Sequence, residues 1–345
     1  MDEKPGSTNT YGPFIRKVVI VLLLVGLALF LWQLRELLLL IFGAIVAAVV
    51  FHAIADPIAK RSSMPEWAAV AVAIIFILAI IAASVWLLGA EVSAQVRVLA
   101  EGLPAAWQSF EERLGWLGLG GRLEVWLADI APGSTSSPVA LAIALGMTIA
   151  NLLLVFVGGI YLALQPSLYR RGAIMLVPRE HRDLVDEALL DSGRVLKLWL
   201  KGQLLAMLIV GSMTGVGLWL LGVPSALALG LLAGLLEFIP YLGPIMSAIP
   251  ALLLALTSGI DLALWTLALY TAIQQIEGNV IQPMVQRYAV HIPPALLLFS
   301  LIGVGVLFGP IGIFLAAPLT VVAFVLVKLL YVREGLHTAT EIPGS

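Results

Sequence analysis

The 345-residue sequence contains no cysteine. Disulfides, Cys-ligated zinc or iron–sulfur centres and thiol catalysis are therefore excluded. The four histidines are scattered, and there is no H-E-x-x-H, no P-loop and no G-x-S-x-G elbow. No enzymatic activity, cofactor or metal site is expected from such a chain. Without a nucleotide site, any transport it performs is passive or driven by an ion gradient. Charge is also scarce. Only 12% of residues are charged, against roughly 25% in soluble domains, and the formal net charge of −2 gives no reason to expect a nucleic-acid partner.

What is present is apolar. Hydrophobic residues make up 61% of the chain and the mean hydropathy is +1.05. Several runs reach or approach the ~20 residues that cross a bilayer core. The fold expected is all-α: a polytopic helical membrane protein with the lipid bilayer as its first partner. Five full spans are read at Ile15 to Leu34, Leu37 to Ala55, Trp67 to Leu88, Pro138 to Leu164 and Leu204 to Leu221. The two-residue gap at Arg35 and Glu36 predicts a tight hairpin between the first two. Arg16 and Lys17 ahead of the first run mimic a signal peptide, but no cleavage-type site follows, so an uncleaved first helix is expected.

Basic residues choose the orientation. With the N-terminus cytoplasmic, only Arg35, Arg97, Arg113 and Arg122 of the 19 Lys and Arg fall outside, which predicts an N-in, C-in chain. Residues 1–14 and 334–345 are then cytoplasmic tails around one integral membrane transport domain, 15–333. Within it, residues 89–137 carry Trp107, Trp116 and Trp126 among polar residues, as in an extracytoplasmic amphipathic segment lying at headgroup depth. Residues 165–201 read as a cytoplasmic amphipathic segment. Its charge run, Glu180 to Glu187, is a solvated helix face. His52 and Asp56, one turn apart, are better explained by placement at the membrane rim than as a metal or proton pair.

The C-terminal third breaks the pattern. Ser225 to Phe238 and Ile245 to Thr257 are each about 14 residues, or roughly 20 Å of helix, short of the ~30 Å core. Between them lie Glu237, Pro240, Gly243 and Pro244. A second unit, Pro294 to Val327, is interrupted at Gly309 and Pro310 and carries Pro318. Each unit is a re-entrant hairpin or a pair of tilted short spans. About six full spans plus these two broken hairpins give 8 to 10 membrane helices. Val223-Pro224-Ser225-Ala226-Leu227 is echoed by Ile292-Pro293-Pro294-Ala295-Leu296, and Gly243-Pro244 by Gly309-Pro310 at a slightly different spacing. A true repeat, with one crossing between its halves, would bring the hairpins in from opposite faces, as at the binding centre of many secondary transporters.

A charge and two prolines at membrane depth are costly unless they face protein or water. Glu237 is therefore a candidate site, or else the solvated tip of a purely structural break. Prolines at 240 and 244 remove backbone donors and free carbonyls that, with a carboxylate, suit a cation or a proton. The crossing between the hairpins reaches full length only by taking Gln274, Gln275, Glu277, Asn279 and Gln282 into or near the bilayer, before Pro283. At 100° per residue, Gln275, Asn279 and Gln282 share one face, and Gln274 and Glu277 a neighbouring one. They line a polar path, or they sit at the cytoplasmic rim.

The order of these pieces resembles the autoinducer-2 exporter family of membrane permeases. The resemblance is carried by Glu237 to Pro244, by Gln275-Ile276-Glu277-Gly278-Asn279-Val280-Ile281-Gln282-Pro283, by Ile292-Pro293-Pro294, and by Gly309-Pro310-Ile311-Gly312 with Ala316-Ala317-Pro318-Leu319. It implies a permease, with efflux of autoinducer-2 or sodium–proton exchange as activities found in the family, and a homo-oligomer in the membrane. The expected function is a secondary transporter or permease for a small solute or signal molecule in the bacterial cytoplasmic membrane, coupled through Glu237 and Glu277 to protons or sodium. The rivals are a sodium–proton antiporter, an uncoupled facilitator and a non-transporting scaffold.

Overall fold

The computed structural model describes residues 11–62, 64–83, 86, 138–283 and 292–338. The amphipathic segment expected at 89–137, both tails beyond these limits, Arg287 and His291 lie outside them. Among the described residues every regular element is helical: α1 (Tyr11–Gln33), α2 (Arg35–Ser62), α3 (Glu66–Ala83), α4 (Pro138–Leu164), α5 (Pro166–Met175), α6 (Arg182–Leu221), α7 (Ala226–Leu236), α8 (Leu242–Ser258), α9 (Ile260–Ile276) and α10 (Pro294–Leu326). Helices α2, α3 and the stretch Arg179–Leu221 are each long and apolar enough to cross a membrane. The chain is a multi-pass membrane protein.

Two expectations at the helix level change. The tight packing expected between the first two spans is not seen among the described side chains: those of α1 from Val18 to Trp32 are exposed. The amphipathic segment 165–201 and the fifth span are not separate either. Helix α6 runs unbroken for 40 residues, ~60 Å at 1.5 Å per residue, twice the bilayer core. Its polar first half therefore projects beyond the membrane, while α5 bends 93° away from Ile149–Leu164. The run from Arg182 to Lys201 contains no Gly-Pro break, and its apolar residues Val195, Leu196, Trp199 and Leu200 keep a buried stripe going into the span.

Both C-terminal units are hairpins. Helix α6 ends at Gly222, a left-handed cap with φ 76°, and α7 and α8 then descend and return around Glu237 to Tyr241. An added Cβ on Gly243 would collide with the Leu236 carbonyl, so only glycine lets the limbs approach this closely. In α10 the helix reverses at Gly309, φ 66° and ψ −150°. Ser300 and Thr320 hydroxyls lie 2.5 Å apart, whereas 20 residues of straight helix would separate them by ~30 Å. By length alone the stretch Pro294–Arg333 would pass for a span, but this contact makes it a folded hairpin. Its close approach is at Gly312, against the Val304 carbonyl. The close approach made by Gly243 in the first hairpin is thus made by Gly312, and not by Gly309, in the second. The offset of 69 positions from Val223 to Ile292 also carries Gly243 to Gly312.

The first hairpin is fixed to α6 by a glycine seam. Gly211 and Gly215 meet Gly230 and Gly234 backbone to backbone, the close packing that small residues allow between membrane helices. The inner limb of the second hairpin contributes Leu315, Ala317, Val321 and Val325 to a core shared with Leu196, Trp199 and Leu200 of α6.

Candidate functional site

Helices α8 and α9 have equal lengths, 17 residues each, and join at Gly259. Antiparallel helices of equal length end at the same level, so the hairpin tip after Leu236 lies level with the residues following Ile276. Glu237 and Glu277 meet there. Both are buried, at 2% and 7% exposure, and their carboxyl groups are close enough to act electrostatically on each other. Glu237 Oε2 is buried and has no hydrogen-bond partner. Gln274 Nε2 donates to Glu277 Oε2 at 2.6 Å and Gln282 Nε2 to Oε1 at 3.4 Å. Tyr241, at φ 66° and partly exposed, places its hydroxyl in the electrostatic range of Glu277.

The grouping of amides differs from the helical-wheel expectation. Residues Glu277–Ile281 form a π turn, whose i→i+5 repeat brings position 282 back over position 277. Gln282 consequently joins Gln274 on the carboxylate. Gln275 and Asn279 form a separate exposed pair, Asn279 Nδ2 donating to the Gln275 carbonyl at 2.9 Å and to its Oε1 at 3.2 Å. Pro283 is exposed at the end of this segment.

The backbone of the break is also not the free cage that its prolines suggest. The Leu236 carbonyl accepts from Ile239 N at 2.9 Å, that of Ile239 from Gly243 N at 2.8 Å, and that of Pro240 from Leu242 N at 2.8 Å. The Pro244 carbonyl accepts from Ser247 Oγ at 3.0 Å. Gln203 Nε2, from α6, donates to the Glu237 carbonyl at 2.6 Å. Each of these oxygens already accepts a hydrogen bond, whereas Glu237 Oε2 accepts none. Pro240, Gly243 and Pro244 are buried and shape the tip. Gln203 is absent from the sequence-based set because it sits at the seam between the segment ending at Lys201 and the span beginning at Leu204. The uninterrupted apolar stripe of α6 was the available signal.

Gly309, Pro310 and Pro318 belong to the second hairpin. Pro318 is buried in the inner limb and Pro310 is exposed. The second hairpin reaches the first through Phe314, whose ring stacks on Phe238 with centroids 4.3 Å apart and planes at 23°. Elsewhere, Asp56 pairs with Lys197, and His52 lies 3.7 Å from Asp56 while its Nε2 is 3.0 Å from the Ala163 carbonyl. That cluster ties α2, α4 and α6 together. In the charged face of α6, Glu187 pairs with Arg333 at 2.8 Å and Asp186 with Arg170 at 3.4 Å. Among the described residues no group of three His, Asp or Glu is placed to hold a metal ion.

The sequence profile of the AI-2E family transporters matches residues 19–331. YrrI of Bacillus subtilis (strain 168), named as a candidate transport protein, is 33% identical over 162 residues, 47% of this chain and 46% of that one. YueF of the same strain, named likewise, is 31% identical over 166 residues, 47% and 45%. The AI-2 transport protein TqsA of Escherichia coli (strain K12) is 34% identical over 118 residues, 33% and 34%. The chain spans about half the length, or less, of the curated relatives it matches. The profile, by contrast, runs from α1 through both hairpins to the end of the last helix, and on that extent the chain belongs to the AI-2E transporter family.

Proposed function

We propose that this protein is a secondary transporter or permease of the bacterial cytoplasmic membrane, with both termini cytoplasmic, working as a homo-oligomer. It moves a small solute along a path beside the two hairpin tips and exchanges protons through Glu237 and Glu277. The observation that carries this reading is the buried carboxyl pair at the tip of a broken hairpin. A single carboxylate at the centre of a membrane helix costs ~2.5–3.5 kcal/mol, and a second like charge in contact raises that cost. One proton shared between the groups removes the second charge, and two amides from Gln274 and Gln282 support the charge that remains. The pair can then take up or release a proton as its access to water changes.

The proton is taken as the coupled ion because two carboxyl groups can share one without further ligands. The name of TqsA makes autoinducer-2 the first solute to try. Flux of autoinducer-2 in reconstituted vesicles, under a proton gradient, a sodium gradient or neither, separates the readings. The proposal expects acceleration by the proton gradient alone. Acceleration by sodium alone favours the sodium-coupled reading, equal flux in all three a facilitator, and no flux another solute or a scaffold.

A further inference from the structure

We propose that the stacked rings of Phe238 and Phe314 are the hydrophobic seal of the path, closing the carboxyl pair off from one face of the membrane. The inference rests on the path proposed above and adds a barrier to it. Phe238 directly follows Glu237, is buried at 6% exposure, and is held edge-on by Trp199 at 6.2 Å and 75°. Phe314 comes from the other hairpin, two residues beyond its close approach at Gly312, and stacks on Phe238. The two residues that follow it, Leu315 and Ala316, are 4% and 0% exposed, yet Phe314 is 45% exposed. One ring is therefore clamped and the other is free on one side.

The backbones beneath both rings are fixed. The glycine seam and Gln203 hold the first tip, and Ser300, Thr320 and the shared core hold the second hairpin. That leaves rotation of the Phe314 side chain as the motion that opens the contact. An apolar constriction of this kind blocks water and ions by dewetting, with no charge of its own.

Because the chain has no cysteine, Gln274→Cys places a single thiol beside Glu277. Labelling with a membrane-impermeant maleimide is followed from each face of reconstituted, oriented vesicles. With Phe314 intact the thiol reacts from one face; with Phe314→Ala it reacts from both at comparable rates, and Phe314→Tyr restores one-sided labelling. Phe314→Gln, which keeps side-chain bulk but hydrates the contact, behaves as Phe314→Ala and serves if truncation impairs folding, judged by monodisperse elution. One-sided labelling that survives both Phe314→Ala and Phe314→Gln overturns the seal while leaving the path intact. Labelling from both faces with Phe314 intact also overturns the seal. Labelling from neither face in any background removes the path, and the seal with it.

Discussion

At the scale of single residues, what matters is which atoms at the hairpin tip have partners. Gln203 satisfies the buried Glu237 carbonyl, and Gln203→Leu leaves that acceptor bare. The expected loss is ~1–3 kcal/mol of stability, read as a lowered melting temperature in detergent. Gly243 and Gly278 form a matched pair for a second test. A methyl group at position 243 collides with the Leu236 carbonyl, whereas at 278 it meets open space. Gly243→Ala should cost at least the ~1–3 kcal/mol typical of overpacking and reduce folded yield sharply; Gly278→Ala should leave the melting temperature unchanged. Equal behaviour of the two variants would contradict the close approach. The two carboxylates were legible in the sequence, because a charge amid apolar residues stands out whatever the fold. Their meeting was not, since they are 40 positions apart in the chain and joined only by the equal lengths of α8 and α9.

At the scale of elements, helix length and proline placement did most of the predicting. Runs too short to cross, broken by Gly and Pro, are hairpins in the structure because their limbs must return to the side they came from. The π turn at Glu277–Ile281 left no such mark: one residue of extra winding needs no special side chain, and a helical wheel with constant 100° steps misplaces everything after it. Deleting Gly278 should convert the turn to α-helix and keep Gln282 over Glu277, now as its i+4 neighbour. Gln282→Leu is therefore the change that removes this amide: it should abolish proton-driven flux while α-helical content by circular dichroism is retained. Retained proton-driven flux would show that the amide at 282 does not serve the carboxylate. In the second hairpin, a double-mutant cycle on Ser300→Ala and Thr320→Val should yield a coupling energy of ~0.6–1.7 kcal/mol, the range for hydrogen bonds between membrane helices. Zero coupling would mean that the limbs are held by packing alone.

At the scale of the molecule, a unit of α2, α3 and α4, packed through Ala48, Phe51, Ala69, Val70 and Ala163, meets a second unit of α6 to α9. Lys197 and Asp56 bridge the two. This pair is half-buried, so Lys197→Ala should cost ~1–3 kcal/mol, between the exposed and buried cases. Arg333→Ala, which removes the more exposed pair with Glu187, should cost less than ~1 kcal/mol. The distribution of Lys and Arg gave an orientation from the sequence at once. It could not show that α6 carries its charged half as one rigid extension of a span, because charge counting assigns sides and not continuity.

The central claim is that Glu237 and Glu277 exchange a proton as solute moves. The most direct measurement is proton movement, read by a pH dye enclosed in vesicles, when an autoinducer-2 gradient is applied across them without any imposed pH gradient. The account predicts that the unaltered protein moves protons with the solute, and that Glu237→Gln and Glu277→Gln each abolish the proton signal while downhill solute flux continues. A proton signal of unchanged size in both variants would contradict it.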